Sequence, residues 1–109
     1  MAKNIKIDEI IRELNTLIKS HFRDFKGVYF FGSRARGEAQ DYSDYDLLFT
    51  FGHKPDWREK NRIYDLVAEC EEKEHIVIDS KAYCDDELKN VWTPFREQVV
   101  KEGIFFAAE

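Results

Sequence analysis

Two prolines, two cysteines and one methionine in 109 residues leave this chain few devices other than its own packing. Cys70 and Cys84 alone cannot build a disulfide framework and fit no metal-ligand spacing, so the expectation is a pair of buried or reduced thiols. Long hydrophobic runs are missing. Nothing approaches the roughly twenty apolar residues needed to span a bilayer, and Met1 to Ile11 alternates charged and apolar side chains, unlike a secretory leader. These absences predict a soluble, cytoplasmic protein without a membrane role. Basic charge is also short: 17 Lys and Arg against 22 Asp and Glu give a net charge of −5. A general nucleic-acid binder needs an electropositive footprint and is excluded. A small nucleotide, whose phosphates metal ions can neutralise, is not.

What the chain has is aromatic and periodic. Nine Phe, five Tyr and two Trp within 43% apolar content are the composition of a globular domain, and the length predicts one domain over residues 1–109. Ile7, Ile10, Ile11, Leu14, Leu17, Ile18 and Phe22 recur at helical steps, predicting an amphipathic helix from Ile7 to Arg23. Gly27 breaks that pattern, and Val28–Phe31 reads as a short buried strand. A turn and short helix follow over Gly32–Ala39, then a polar loop over Gln40–Ser43. Asp44–Phe51 alternates as a second strand, with Asp44, Asp46, Leu48 and Thr50 on one face. Asp56 with Glu59 makes a capping box for a helix to about Glu72. His75–Tyr83 reads as a third strand, placing Asp79, Lys81 and Tyr83 on one face. Asp85–Leu88 starts a short helix, Thr93-Pro94 caps another that ends near Gly103, and Ile104–Phe106 adds a last strand. Helices alternating with strands, without repeats or linkers, predict an α/β (α+β) fold.

The chemistry concentrates in Gly32-Ser33-Arg34-Ala35-Arg36-Gly37 and, with ten residues separating it from Ser33, in Asp44-Tyr45-Asp46. Glycine permits a sharp turn and lets a phosphate come close. The Ser33 hydroxyl and the following N–H groups suit phosphate oxygens, and Arg34 or Arg36 adds charge. The alternative is a strand-to-helix turn with Ser33 as the cap and no ligand. Carboxylates two apart on a strand point the same way and repel each other unless neutralised. Asp44 and Asp46 therefore suit divalent metal ions; the alternative is that Asp44 stays in the loop and only Asp46 enters the strand. Asp79, an acid inside the apolar stretch Ile76-Val77-Ile78, is costly without a partner. If its strand lies beside the second, it joins the same metals and can accept the proton of an attacking hydroxyl.

Gly32-Ser33-Arg34-Ala35-Arg36-Gly37 followed by Ser43-Asp44-Tyr45-Asp46-Leu47-Leu48 resembles the signature of the minimal nucleotidyltransferases of the DNA polymerase β superfamily. Asp56-Trp57-Arg58, Ile78-Asp79 and Thr93-Pro94-Phe95 before Lys101-Glu102-Gly103-Ile104 extend the resemblance over almost the whole chain from the first strand onward. The resemblance implies a two-layer palm with a mixed sheet of three to four strands against helices. It also implies a site in which Gly32 and Ser33 hold the phosphates of ATP or another nucleoside triphosphate, while Asp44, Asp46 and Asp79 carry Mg²⁺, two ions in the family. The implied reaction is transfer of a nucleoside monophosphate with release of pyrophosphate. Small members of the family pair with HEPN-domain toxins as antitoxins, and several are thought to adenylylate them. The resemblance thus implies a HEPN-domain partner protein as acceptor, with masking without catalysis, or transfer to a small molecule such as an antibiotic, as alternatives.

Other residues carry weaker signals. His21, His53 and His75 share no spacing and read as structural or solvent-facing. Lys81 reads equally as a phosphate contact or a solvated strand-end lysine. Trp57 and Trp92 read as core or boundary packing, with a partner surface as the alternative, and Arg36 as an exposed helix arginine.

Overall fold

The structure, a computed structural model, describes residues 6–40, 43–90 and 93–108. Asp41, Tyr42 and Trp92, for which a loop and a packing position are expected from sequence, lie outside the described residues. Among the described residues nine elements follow one another: α1 (Ile7–His21), β1 (Phe25–Phe31), α2 (Gly32–Arg36), β2 (Tyr45–Phe51), α3 (Trp57–Glu74), β3 (Ile78–Cys84), α4 (Asp85–Lys89), α5 (Pro94–Glu102) and β4 (Ile104–Ala107). Four strands form one mixed sheet in the order β3-β2-β1-β4. β1 runs antiparallel to both β2 and β4, and β2 runs parallel to β3.

Ile10, Ile11, Leu14 and Ile18 of α1, with Ile63 and Val67 of α3, bury against Phe25, Val28, Phe30, Leu47, Phe49 and Phe51 of the sheet. Each such side chain, fully buried, contributes about 1.5–3 kcal/mol. Leu17, expected on that face, is over a third exposed. The second sheet face is covered in part: Leu88 of α4 and Val99 of α5 enclose Leu48, with Tyr29, Phe31, Tyr83 and Phe95 around them. The sheet of four mixed strands packed against helices is the expected palm, with α4 and α5 adding partial cover to its second face.

β1 begins three residues earlier than the apolar run suggests. Gly27 does not end the helix region; it sits inside the strand at φ +147°, at a register irregularity opposite β2. A Cβ there would lie 2.3 Å from the Phe106 carbonyl oxygen, so glycine is what lets β4 pair at this point.

α3 starts as its sequence dictates. The Asp56 carboxylate accepts from Glu59 N–H at 2.8 Å, and Asp56 N–H donates to Glu59 Oε1 at 3.0 Å. It runs two residues beyond the expected end and closes with His75 in the left-handed region at φ 57°, Ile76 N–H donating back to the Glu71 carbonyl. β3 therefore begins at Ile78, and the apolar pair Ile76-Val77 is a connection. Trp57, expected to pack, is 67% exposed at the first position of α3, because the helical face that enters the core is set by Ile63 and Val67. Thr93 Oγ1 accepts from Arg96 N–H at 3.2 Å with Pro94 behind it, the expected start of α5.

Candidate active site

The antiparallel β1–β2 and parallel β2–β3 pairings bring the end of β1 and the beginnings of β2 and β3 to one edge of the sheet. Phe31 is opposite Asp46, and Asp46 is opposite Asp79. The two carboxylates are thus neighbours across adjacent strands on the α4/α5 face, as Leu48 and Tyr83 further along the same strands show. Asp44 precedes the first residue of β2 and is exposed, so the strand starts one residue later than its alternation implies.

Gly32 follows Phe31 at φ +81°. A Cβ on it would lie 2.0 Å from Asp46 Oδ2, so the missing side chain is the space the Asp46 carboxylate occupies. Ser33 is the second residue of α2; the cap position is Phe31, with no side-chain cap bond. Ser33 therefore does not serve as the helix cap. Its carbonyl accepts from Glu38 N–H at 2.9 Å, and Gly37 at φ +74° ends the helix.

The electrostatics follow from the crowding. Asp46 titrates above the usual carboxylate range, first because it is partly buried, then because Asp79 faces it as a neighbouring charge and hydrogen-bond partner, with Asp44 adding to the repulsion. Lys81 works the other way. Two residues past Asp79 on the same strand face, its ammonium lies 3.3 Å from both Asp79 carboxylate oxygens. The same ammonium is 5.6 Å from the centroid of Phe95, whose ring meets Phe31 edge-on at 5.7 Å. Among the described residues no three His, Cys, Asp or Glu side chains converge as a preassembled metal cluster.

The two arginines of the turn are engaged locally. Arg34 Nε donates to the Ser43 carbonyl at 3.1 Å and its guanidinium lies 4.5 Å over the Tyr45 ring, tying the connection to the start of β2. Arg36 pairs with Glu38 at 3.0 Å.

A sequence profile decides what this edge belongs to: that of the Polymerase beta, Nucleotidyltransferase family matches residues 12–108. The chain belongs to this nucleotidyltransferase family. Its relatives agree. It is 31% identical over 101 residues, 92% of this chain and 98% of the other, to the Methanocaldococcus jannaschii protein named "Putative protein adenylyltransferase MJ0141". The fold matches the solved structure described as "Structure of putative minimal nucleotidyltransferase" with a TM-score of 0.62 at 26% identity, over 94% of this chain and 95% of that one. It also matches a chain of a toxin-antitoxin crystal structure with AMP-PNP, with a TM-score of 0.65 at 19% identity, over 90% of this chain and 70% of that one; this likeness shows the fold alone.

In this nucleotidyltransferase the site residues read from sequence fall into two groups. Gly32, Asp46 and Asp79 come together, with Asp44 close enough to act on Asp46. Arg34 and Arg36 turn to Ser43, Tyr45 and Glu38. Two contributors carried too little signal for a role. Lys81 shares the Asp79 face by strand period, but only the fold shows the ion pair. Phe95 is distant in sequence and arrives through α5.

Proposed function

We propose that this nucleotidyltransferase moves a nucleoside monophosphate, AMP from ATP, onto a hydroxyl of a partner protein, a HEPN-domain toxin for which it is the antitoxin. The observation that carries the transfer reading is the Asp46–Asp79 pair side by side against the Gly32 slot. The raised affinity of Asp46 for a proton marks a carboxylate set short of positive charge, and all-oxygen donors of this kind fit a hard divalent cation. Asp44, Asp46 and Asp79 would hold Mg²⁺, which when bound supplies charge neutralisation for the triphosphate.

The chain's own residues do the rest. Gly32 and Ser33 cradle the phosphates, the absence of a Cβ at Gly32 letting the Asp46 carboxylate lie directly against that turn. Asp79 takes the proton of the acceptor hydroxyl, whose oxygen bonds to the α-phosphorus as the bond from that phosphorus to the bridging oxygen breaks and pyrophosphate leaves. Lys81 holds Asp79 in place at 3.3 Å. The choice of a protein acceptor is supported by the name of the methanogen relative, matched over nearly its full length. The AMP-PNP and toxin-antitoxin description of the structural neighbour supports ATP and the partner.

The test is incubation of the purified chain with its toxin partner, ATP and Mg²⁺, read by intact mass. The partner should gain the mass of AMP with the wild-type protein and none with an Asp44→Asn/Asp46→Asn variant. Full neutralisation of the partner by that variant at equal dose would replace transfer by masking.

A further inference from the structure

The outward face of α3 carries more than solvated charge. Ile63, Leu66, Val67 and Cys70 turn to the core. The opposite stripe, at steps of seven and four residues, is Trp57, Tyr64 and Ala68, all exposed. Trp57 carries the Arg58 guanidinium over its ring at 5.1 Å and stands two turns, about 10 Å, from Tyr64. Trp, Tyr and Arg are the side chains that most often anchor protein interfaces.

The charges of this helix run against its dipole. Arg58, Lys60 and Arg62 crowd the first half and Glu69, Glu71 and Glu72 the last, whereas the dipole favours acids first and bases last. Local charges of the other kind are engaged: Asp56 and Glu59 in the cap, Lys73 with Glu13 at 3.5 Å. Among the described residues Arg58, Lys60, Glu69 and Glu72 have no ion-pair partner. A helix basic in one half and acidic in the other is complementary to itself reversed. We propose that this face is a two-fold interface with a second copy of the chain, α3 crossing its equivalent antiparallel.

One register, centred beside Asp65, opposes Arg58 to Glu72, Lys60 to Glu71 and Arg62 to Glu69 of the second copy, and the two-fold repeats each pair. Glu71 accepts from Ile78 N–H through one carboxylate oxygen and keeps the other. Asp65 falls one turn from Arg62 of the second copy. A parallel pairing would set like charges together. Burial of Trp57 and Tyr64 supplies the association, Ala68 leaves room for a facing ring, and the charges set the direction. The helix is about 27 Å long, so a single crossing makes a small interface and a weak, salt-sensitive dimer. α3 packs on the sheet face opposite the one that carries Asp46 and Asp79, so both carboxylate edges stay open in the pair. The inference stands independently of the transfer reading.

Sedimentation equilibrium of the full chain tests it, with two charge-swapped variants, Arg58→Glu/Arg62→Glu and Glu69→Arg/Glu72→Arg. The wild-type chain should form a reversible dimer that weakens as salt rises. Each variant alone opposes like charges and should dimerise at least about tenfold more weakly. An equimolar mixture of the two should recover the wild-type association, which a misfolded variant cannot do. Trp57→Ala, at an exposed position, should weaken the dimer about tenfold as well. A wild-type chain that stays monomeric at low salt would overturn the inference and leave the face to a different protein or to a nucleic acid. So would charge-swapped variants that dimerise like wild type, or a mixture that stays monomeric while both variants keep the wild-type melting curve.

Discussion

At the scale of single residues, the site is built from a missing side chain and an excess of charge. Gly32→Ala would place a Cβ on Asp46 Oδ2 and force an L-residue to φ +81°, costing about 1–3 kcal/mol in backbone strain. Displacing Asp46 by that contact should lower kcat about a hundredfold, measured as pyrophosphate release, with the protein still folded by circular dichroism. Asp46→Asn removes one of the mutually repelling carboxylates. Because Asp46 titrates above its ordinary value, its ionised form costs stability at neutral pH, and that cost disappears below the unfolded carboxylate range. In metal-free buffer at pH 7 the variant should therefore melt about 2–4 °C higher, corresponding to about 0.5 kcal/mol after solvent screening, and the gain should vanish in acid. A lower melting temperature at pH 7 would show that the carboxylates are not strained against each other. Gly32, Asp44 and Asp46 were legible in sequence because a glycine ending an apolar run and two alternate acids are local signals. The charge balance was not, because Lys81 meets Asp79 only once the strand's side-chain directions are fixed.

At the scale of elements, the end of the sheet that carries Phe25 and Phe51 is pinned by a clasp that no spacing reveals. His53, just past β2, has Nδ1 against the Asp24 carboxylate before β1 and Nε2 at 2.9 Å from Glu59 in the first turn of α3. Glu59 is also half of the capping box, so one carboxylate serves both the cap and the clasp. Both ring nitrogens face acceptors, which only the imidazolium can satisfy by donating twice. The Asp24 and Glu59 hydrogen bonds accordingly raise the His53 pKa above its ordinary 6.5. With a raised folded value, the clasp contributes fully below pH 6.5 and is lost as pH climbs through that higher value. His53→Gln should cost about 0.5 kcal/mol near pH 6, the histidine being partly exposed. The gap from wild type should close in alkaline buffer; a gap that widens with pH would contradict the clasp. Sequence reading placed His53 in a loop, correctly, but the three segments are joined only by the fold. β3 shows the opposite limit. Its apolar run begins at Ile76, yet the strand waits for Ile78 because α3 has still to close through His75.

At the scale of the whole molecule, the topology does the work that no local motif can. Two acids 33 positions apart in the chain become neighbours because β2 and β3 are parallel, joined by the 18-residue helix α3. The element order was legible from apolar periodicity and caps. The parallel pairing was not: in the sequence Asp79 joins Asp46 only on the condition that their strands lie side by side, which the register of β2 and β3 supplies. α5, which covers part of the second face, then brings Phe95 beside Lys81 and Phe31, giving the carboxylate edge an aromatic wall. All of this converges on one claim, that the chain transfers the nucleotidyl and not the terminal phosphoryl group of ATP. The direct measurement is labelled ATP with Mg²⁺ and the proposed partner protein, run once with the label on the α-phosphate and once with it on the γ-phosphate. The account predicts α-label on the partner and γ-label released as pyrophosphate. γ-Label on the partner, or neither label there, would contradict it.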